Sequence, residues 1–314
     1  MSVFAQFSRL DPEAKHESRD RALQWGKRVH TIGARLPREV VPPTEETTGY
    51  FIPTLYQHGE KTLAIELAKW LASRQGSDGS FAAADGVPYT FDTAQVIRGF
   101  LAVLDDLPEV AEPLRRACNY VDRQIDADGR VHTVSYTQWH LVDGSVFSDY
   151  AHVYVLPPML DAGRKLSEPR YIQAAQRGIK YFKEVPDLVE FKPTLGNLSH
   201  IFGYIIEGLV ELGEVDLAKK GLLNAAMIQK KNGAIPAYPG VDWVCSTGMA
   251  QLAVAWYRLG EREAGDRILQ YLQKIQNPSG GFYGSYGRNA LYFADKEIGW
   301  AVKYFLDCFL LRQV

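Results

Sequence analysis

Cysteine is scarce: the 314 residues hold three, Cys118, Cys245 and Cys308. They are widely separated, odd in number and outside any C-x-x-C or Cys/His spacing. That excludes a disulfide framework and a structural zinc site, and reads as free thiols in a reducing compartment. An excess of either charge is missing too, since 35 Lys and Arg stand against 37 Asp and Glu for a net charge of −2. The balance removes any overall pull toward nucleic acid or anionic lipid and leaves a neutral or locally recognised ligand. No apolar run is long enough to span a bilayer, and the opening stretch MSVFAQFSRLDPEAKHESRD lacks the basic patch and apolar core of a secretory signal. Also absent are G-x-G-x-x-G, the P-loop, G-x-S-x-G and H-E-x-x-H, so nucleotide binding, elbow-type serine hydrolysis and zinc proteolysis gain no support. The expectation is a soluble cytoplasmic protein that uses no metal or cofactor, binds no nucleic acid and does not insert into membranes. Its oligomeric state is left open.

What the chain does have is a repeat. The turn at Asp78-Gly79 returns at Asp128-Gly129, Asn232-Gly233 and Gly280-Gly281, at spacings of about fifty residues or twice that, with one degenerate copy near EVPDLVEF. A tighter turn interleaves with it: HGE from His58, AGR from Ala162, and LGE from Leu212 and from Leu259. Glycine after an apolar helical run suits a left-handed C-cap, and the Glu that follows suits the start of the next helix. Between the turns the apolar residues recur at three and four. One set of segments, such as SHIFGYIIEGLVEL, is apolar nearly all round, and the other, such as EREAGDRILQYLQKIQ, has a charged face. Buried helices are expected to start near Thr47, Asp92, Asp149, Ser199, Ser246 and Lys296, with amphipathic partners over 19–30, 60–75, 109–125, 168–184, 214–231 and 261–276. Six such hairpins predict an all-α (α/α)6 toroid, with inner and outer helix rings, formed by residues 1–314 as one domain.

In that arrangement the outer-to-inner connections are long and the inner-to-outer ones are tight. All long loops then gather at one mouth, with the N-termini of the inner helices, where a site belongs. The residues expected there are Glu45, Glu46, Tyr50, Tyr89, Asp92, Asp149, His152, His200, Asp242, Trp243, Asp295, Lys296 and Glu297. Trp139, His140, Tyr283, Tyr286 and Arg288 lie in adjoining loops. Carboxylates, histidines and aromatics together suit a sugar, whose ring stacks on aromatic faces while polar groups take its hydroxyls. A competing reading stands beside several of these. Asp92, Asp149 and Ser246 occupy positions where helix N-caps stand, and His152 and His200 sit on apolar helices where a hydrogen-bonded core histidine is common. Glu207, deep in an apolar helix, is either an acid of raised pKa or a partner of an arginine such as Arg98.

The stretch RQGSDGSF resembles the Q-x-x-D-G-S/G-W/F turn repeated in the α/α-toroid superfamily: terpenoid cyclases of the squalene–hopene type, protein prenyltransferase β subunits and some polysaccharide lyases. The whole-chain layout also looks like the six-hairpin glycosidases. YTFDTAQVIRGFL is similar to the D-x-D-D-T-A stretch of class II terpene cyclases, although only Asp92 of its acidic residues is present. The resemblance implies the toroid and, through its carbohydrate branch, a saccharide or glycoconjugate as partner.

Three readings follow. The first is a carbohydrate-active enzyme, in a setting such as bacterial surface-polysaccharide metabolism. As a glycoside hydrolase it needs two carboxyls, Asp92 with Asp149 as first pair and Glu207 as outside candidate. As a polysaccharide lyase or uronate epimerase it needs a base, His200, His152 or Tyr150, with Arg288 or Lys296 holding the uronate carboxylate. The substrate-binding set is Tyr50, Tyr89, Trp139, His140, Asp242, Trp243, Tyr283, Tyr286, Arg288 and Asp295. The second reading is a terpenoid cyclase-like toroid with a dry aromatic cavity, and the third a non-catalytic scaffold whose mouth binds glycan or protein.

Overall fold

The computed structural model describes residues 12–135 and 146–312. Twelve α-helices follow one another in these residues: α1 Pro12–His30, α2 Glu45–Gln57, α3 Lys61–Arg74, α4 Thr90–Val103, α5 Ala111–Asp122, α6 Leu156–Lys165, α7 Pro169–Lys183, α8 Ser199–Glu211, α9 Val215–Ala226, α10 Ser246–Arg258, α11 Arg262–Ile275 and α12 Gly299–Leu311. The even-numbered helices pack successively on one another, and α12 returns to both α1 and α2, so the inner ring closes. This is an (α/α)6 toroid. No described helix is long and apolar enough to cross a membrane.

The two helix classes differ as their sequences demand. Every residue of α8 from Ser199 to Leu209 is buried, as befits a helix enclosed by neighbours. In α11 the buried residues are Gly265, Ile268, Leu269 and Leu272, a single stripe at helical spacing with charge on the other face. The start of α2 is fixed by a reciprocal cap. The Thr47 amide donates to the Thr44 hydroxyl at 3.2 Å while the Thr44 amide donates to the Thr47 hydroxyl at 2.7 Å.

The fifty-residue repeat is a clasp between outer helices. Gly79 has φ +94°, and a Cβ there would lie 2.2 Å from the Arg116 carbonyl oxygen on α5; Gly129 repeats this against Arg177 on α7 at 2.1 Å. Gly233 meets Arg267 on α11 in the same way, and Gly280 meets Arg21 on α1, which carries the pattern across the closure. Only glycine has the room and the left-handed backbone for this seat. The side chains of Gln75, Gln229 and Gln276 grip their turns by donating to the carbonyls of Gly79, Gly233 and Gly280, each at 3.0 Å. The fourth turn is therefore built on Gly280, one residue before the glycine that the sequence spacing picks. At the same seam Trp25 Nε1 donates to Glu297 Oε2 at 2.6 Å and Asn277 Nδ2 donates to Glu297 Oε1 at 2.8 Å.

Both ends of α6 depart from the sequence reading. Gly163 of AGR is no C-cap: α6 runs through it to Lys165, and the left-handed residue of that turn is Ser167, with φ 55°. Gly163 instead makes room for α7, since a Cβ would fall 2.6 Å from Ile172. The third inner helix begins as a 3-10 segment, Asp149–Val155, and turns α-helical only at Leu156. Pro157 and Pro158 have no N–H to donate, so they fit only the first turn of an α-helix and fix its start.

Candidate functional site

A cavity of about 140 Å³ opens at the mouth, where the long loops and the N-termini of the inner helices meet. Its acidic lining is Glu46 from α2 and Asp92 from α4, and its histidine is His200 from α8. Tyr50, Phe91, Phe147, Tyr204, Tyr292 and Trp300 supply the aromatic walls. The rings interlock: Tyr204 lies 4.8 Å from Phe91 edge to face and 4.5 Å from His200, and Trp300 Nε1 donates to the Tyr292 hydroxyl at 3.0 Å. Such contacts fix the walls before any ligand arrives.

Asp92 is buried, 5% exposed, in the first turn of α4. It is not the cap residue. Tyr89 holds that position and makes no side-chain cap bond, and Asp92 stands three residues further on, where the positive end of the helix still favours its charge. Its neighbour Glu46 is the group most affected. Burial drives the Glu46 carboxyl well above the usual carboxylate range, and the charge of Asp92 drives it further. His200 is pulled down to about 4 by burial, against the opposing effect of its hydrogen bond with Gln251. Nδ1 donates to Gln251 Oε1 at 2.8 Å, which leaves Nε2 as the acceptor of a neutral ring.

Asp149 sits at the rim, between Phe147 and Ala151, which both line the cavity. Ser148, not Asp149, caps the 3-10 segment. The Asp149 carboxylate accepts from His152 Nδ1 at 2.7 Å and lies 3.9 Å from Arg130. Ser246 is likewise no cap: it opens α10 after Cys245, and its hydroxyl donates to the Tyr283 carbonyl at 2.6 Å.

Of the residues expected at the mouth, the cavity brings together Glu46, Tyr50, Asp92 and His200, with Asp149 and His152 beside them. Tyr89 is fully buried, its hydroxyl donating to Asp85 at 2.7 Å. Trp243 is buried against Tyr238, edge to face at 5.6 Å. Asp242 faces away, its side chain 93% exposed and paired with Lys230 at 2.9 Å, so four-way convergence with Asp92, Asp149 and His200 does not occur. Tyr283 lines a separate cleft at the closure seam, and Tyr286 donates to Asn277 there at 3.0 Å. Arg288 and Asp295 are exposed, and Lys296 reaches the Arg38 carbonyl at 3.0 Å. Trp139 and His140 lie outside the described residues. No group of three or more His, Cys, Asp or Glu among the described residues is arranged to hold a metal.

Glu207 is not in the mouth. It is 1% exposed, neither carboxyl oxygen has a hydrogen-bond partner, and burial pushes it up to about 8. Arg98 is not its partner, because Arg98 Nη1 donates to Glu211 Oε2 at 2.7 Å. Both belong to the opposite end, where a second cavity of about 330 Å³ is lined by Arg98, Glu211, Arg258, Lys303 and Asp307. Tyr50 lines both cavities and is the floor between them.

Sequence reasoning named Tyr50 but missed the other aromatic walls. Tyr204 follows His200 by one helical turn and was legible at that spacing. Trp300 was hidden by placing the last inner helix at Lys296, three residues before its actual start at Gly299. Glu46 was recognisable only as a mouth residue, since nothing in sequence puts it against Asp92.

No protein-family model matches the chain, and no curated protein does. Solved structures match over nearly the whole length. An unsaturated glucuronyl hydrolase specific for heparin superposes with a TM-score of 0.72 at 14% identity, covering 96% of this chain and 97% of that one. A polysaccharide lyase gives 0.64 at 11% identity, covering 94% and 98%. A glycosidase variant in complex with glucose gives 0.68 at 11% identity, covering 97% and 99%. At such identities the likeness establishes the α/α toroid and not the reaction.

Proposed function

We propose that this protein is a carbohydrate-active enzyme that hydrolyses a glycosidic bond in the mouth cavity. The observation that carries the reading is the buried pair Glu46 and Asp92 in an aromatic-walled pocket. Burial and the charge of Asp92 raise Glu46 above the usual carboxylate range, which suits it to serve as the acid beside a second carboxyl. Glu46 retains its proton and donates it to the departing glycosidic oxygen. Asp92 acts as the ionised partner, on a water or on the anomeric carbon. His200, held neutral, accepts a hydrogen bond from a sugar hydroxyl through Nε2. Asp149 and His152 at the rim remain candidates for orienting the substrate or for the second carboxyl role. Similar solved toroids, a glucuronyl hydrolase and a glycosidase variant in complex with glucose, support a saccharide as the ligand.

Hydrolysis is favoured over elimination because a lyase must neutralise a uronate carboxylate, and the described lining contains no Arg or Lys. The carboxyl pair also argues against the isoprenoid reading, which calls for a dry wall throughout. The test is turnover of a panel of aryl glycosides by wild type, Asp92→Asn and Glu46→Gln, with melting temperature measured on the same samples. Each variant should stay folded and lose at least about a hundredfold in turnover. Variants that stay folded and turn over at the wild-type rate would refute the assignment.

A further inference from the structure

The loop between α11 and α12 breaks a local rule beside the mouth. Among the described residues, Ser167, Asn289 and Phe293 are the ones other than glycine with a left-handed backbone, and only Phe293, at φ 46°, is apolar. Asn289, in the same loop at φ 60°, is an ordinary occupant of such a position, whereas a bulky ring there crowds its own backbone. The Phe293 side chain is also 40% exposed, so burial offsets the strain only in part.

The turn is held by its neighbours. The Phe293 carbonyl accepts from the Gly284 amide at 2.9 Å and from the Lys296 amide at 3.3 Å, and the Tyr292 carbonyl accepts from the Ser285 hydroxyl at 2.6 Å. Gly284 makes room for this, since a Cβ there would lie 2.7 Å from both the Tyr292 carbonyl oxygen and the Phe293 Cβ. Ser285 in turn pairs antiparallel with Cys245, the residue before α10. The strained turn therefore stands on the start of an inner helix.

What it sets in place is the aromatic wall. Tyr292 lines the cavity with its ring 5.8 Å from that of His200, and its hydroxyl meets Trp300 Nε1 from eight residues away. Phe293 does not line the cavity, but its ring lies edge to face against both wall residues, 5.0 Å from Tyr292 and 5.5 Å from Trp300. We propose that Phe293 is a positioning residue for the mouth: its left-handed backbone and its ring together hold Tyr292 and Trp300 in the wall against which the sugar lies. A local rule broken next to a site is the expected signature of such a role. The proposal rests on the hydrolase reading above.

The test measures kcat and KM on the best aryl glycoside of the panel, with melting temperature, for Phe293→Gly, Phe293→Leu and Phe293→Tyr. Glycine accepts the left-handed backbone and removes only the ring, so the fold should hold. Its KM is expected to rise about tenfold with kcat within about twofold of wild type, because the wall touches ground state and transition state alike. Leucine, apolar but without a flat ring, should raise KM less, and tyrosine should restore the wild-type value. A wild-type KM in Phe293→Gly overturns the inference and leaves the hydrolase reading standing. So does a loss of kcat that tracks a fall in melting temperature across the variants. If the glycine variant does not fold, Phe293→Leu decides in its place, and a wild-type KM there overturns the inference. Should wild type turn over no member of the panel, the hydrolase reading falls, and calorimetry with methyl glucoside decides the inference separately: equal affinity for wild type and Phe293→Gly, or none for either, overturns it.

Discussion

The two ends of the toroid are built from the same six inner helices and treat their charges in opposite ways. At the far end the charged residues that line the cavity stand in ion pairs, although Glu207, buried nearby, has no hydrogen-bond partner. Arg98 and Arg258 both hold Glu211, at 2.7 and 3.1 Å, and Lys303 holds Asp307 at 2.9 Å. Arg98 also lies over the Tyr154 ring at 4.0 Å. Burial works against the charge of Glu211, but Arg98 and Arg258 outweigh it and hold the carboxyl below its usual range. At the mouth, two carboxyls line one cavity whose described lining holds no Lys or Arg, and burial together with the charge of Asp92 forces Glu46 above its usual range. Paired charge locks helix ends together, whereas acids set against each other are poised for proton transfer.

The largest effect expected from breaking this contrast is at the far end. Glu211→Ala leaves two guanidinium groups facing each other in a partly buried network and should cost about 3–5 kcal/mol of stability. Chemical denaturation measures it, and turnover per folded molecule should not change. A collapse of turnover with the fold intact would mean that the far end takes part in the chemistry.

Gly79→Ala probes the clasp that holds the outer ring, and hence the loop bordering α4 and Asp92. The new Cβ meets a backbone carbonyl that cannot swing aside, and the left-handed φ is strained for alanine. The expected loss is roughly 2 kcal/mol. A neutral result by thermal melting would show that the repeat is not a structural clasp.

Glu207→Gln sharpens the comparison through pH. The folded protein keeps the Glu207 proton up to about pH 8, whereas an unfolded glutamate releases it near about 4.3. The unfolded state therefore binds fewer protons over that range, and this group makes stability fall as pH rises between those two values. Glutamine removes the slope and should stabilise the protein at neutral pH by about 1–3 kcal/mol. The buried His200, held at about 4, acts in the other direction, lowering stability as pH falls below about 6.5. Melting temperatures of wild type and variant across pH 5 to about pH 9 separate these contributions. Parallel curves would contradict the placement of an unpaired acid at Glu207.

Much of the fold was legible because it is periodic. Three-and-four spacing identified the helices, the alternation of apolar and amphipathic segments identified the rings, and the recurrent glycine turns identified the repeat, though not the clasp that it builds. The misplacements came from local rules that tertiary contact overrode. Gly163 is a packing glycine rather than a C-cap, and Gly299 starts α12 later than the charge pattern at Asp295–Glu297 suggests. The site was legible in part. Helix starts converge at one mouth by topology, so Asp92, His200 and Tyr50 could be named. Which of two adjacent glutamates points inward depends on helix phase: Glu45 turns out to Arg74 at 2.9 Å, and Glu46 turns in to Asp92. No spacing rule in the sequence separates the two.

The most direct test is a crystal structure with glucose soaked to saturation. The ring is expected in the mouth, against Trp300 and Tyr292, with hydroxyls on Asp92, Glu46 and His200. A ring found in the far cavity beside Arg98 and Lys303, with the mouth empty, would contradict the claim that the carboxyls of Glu46 and Asp92 mark the site.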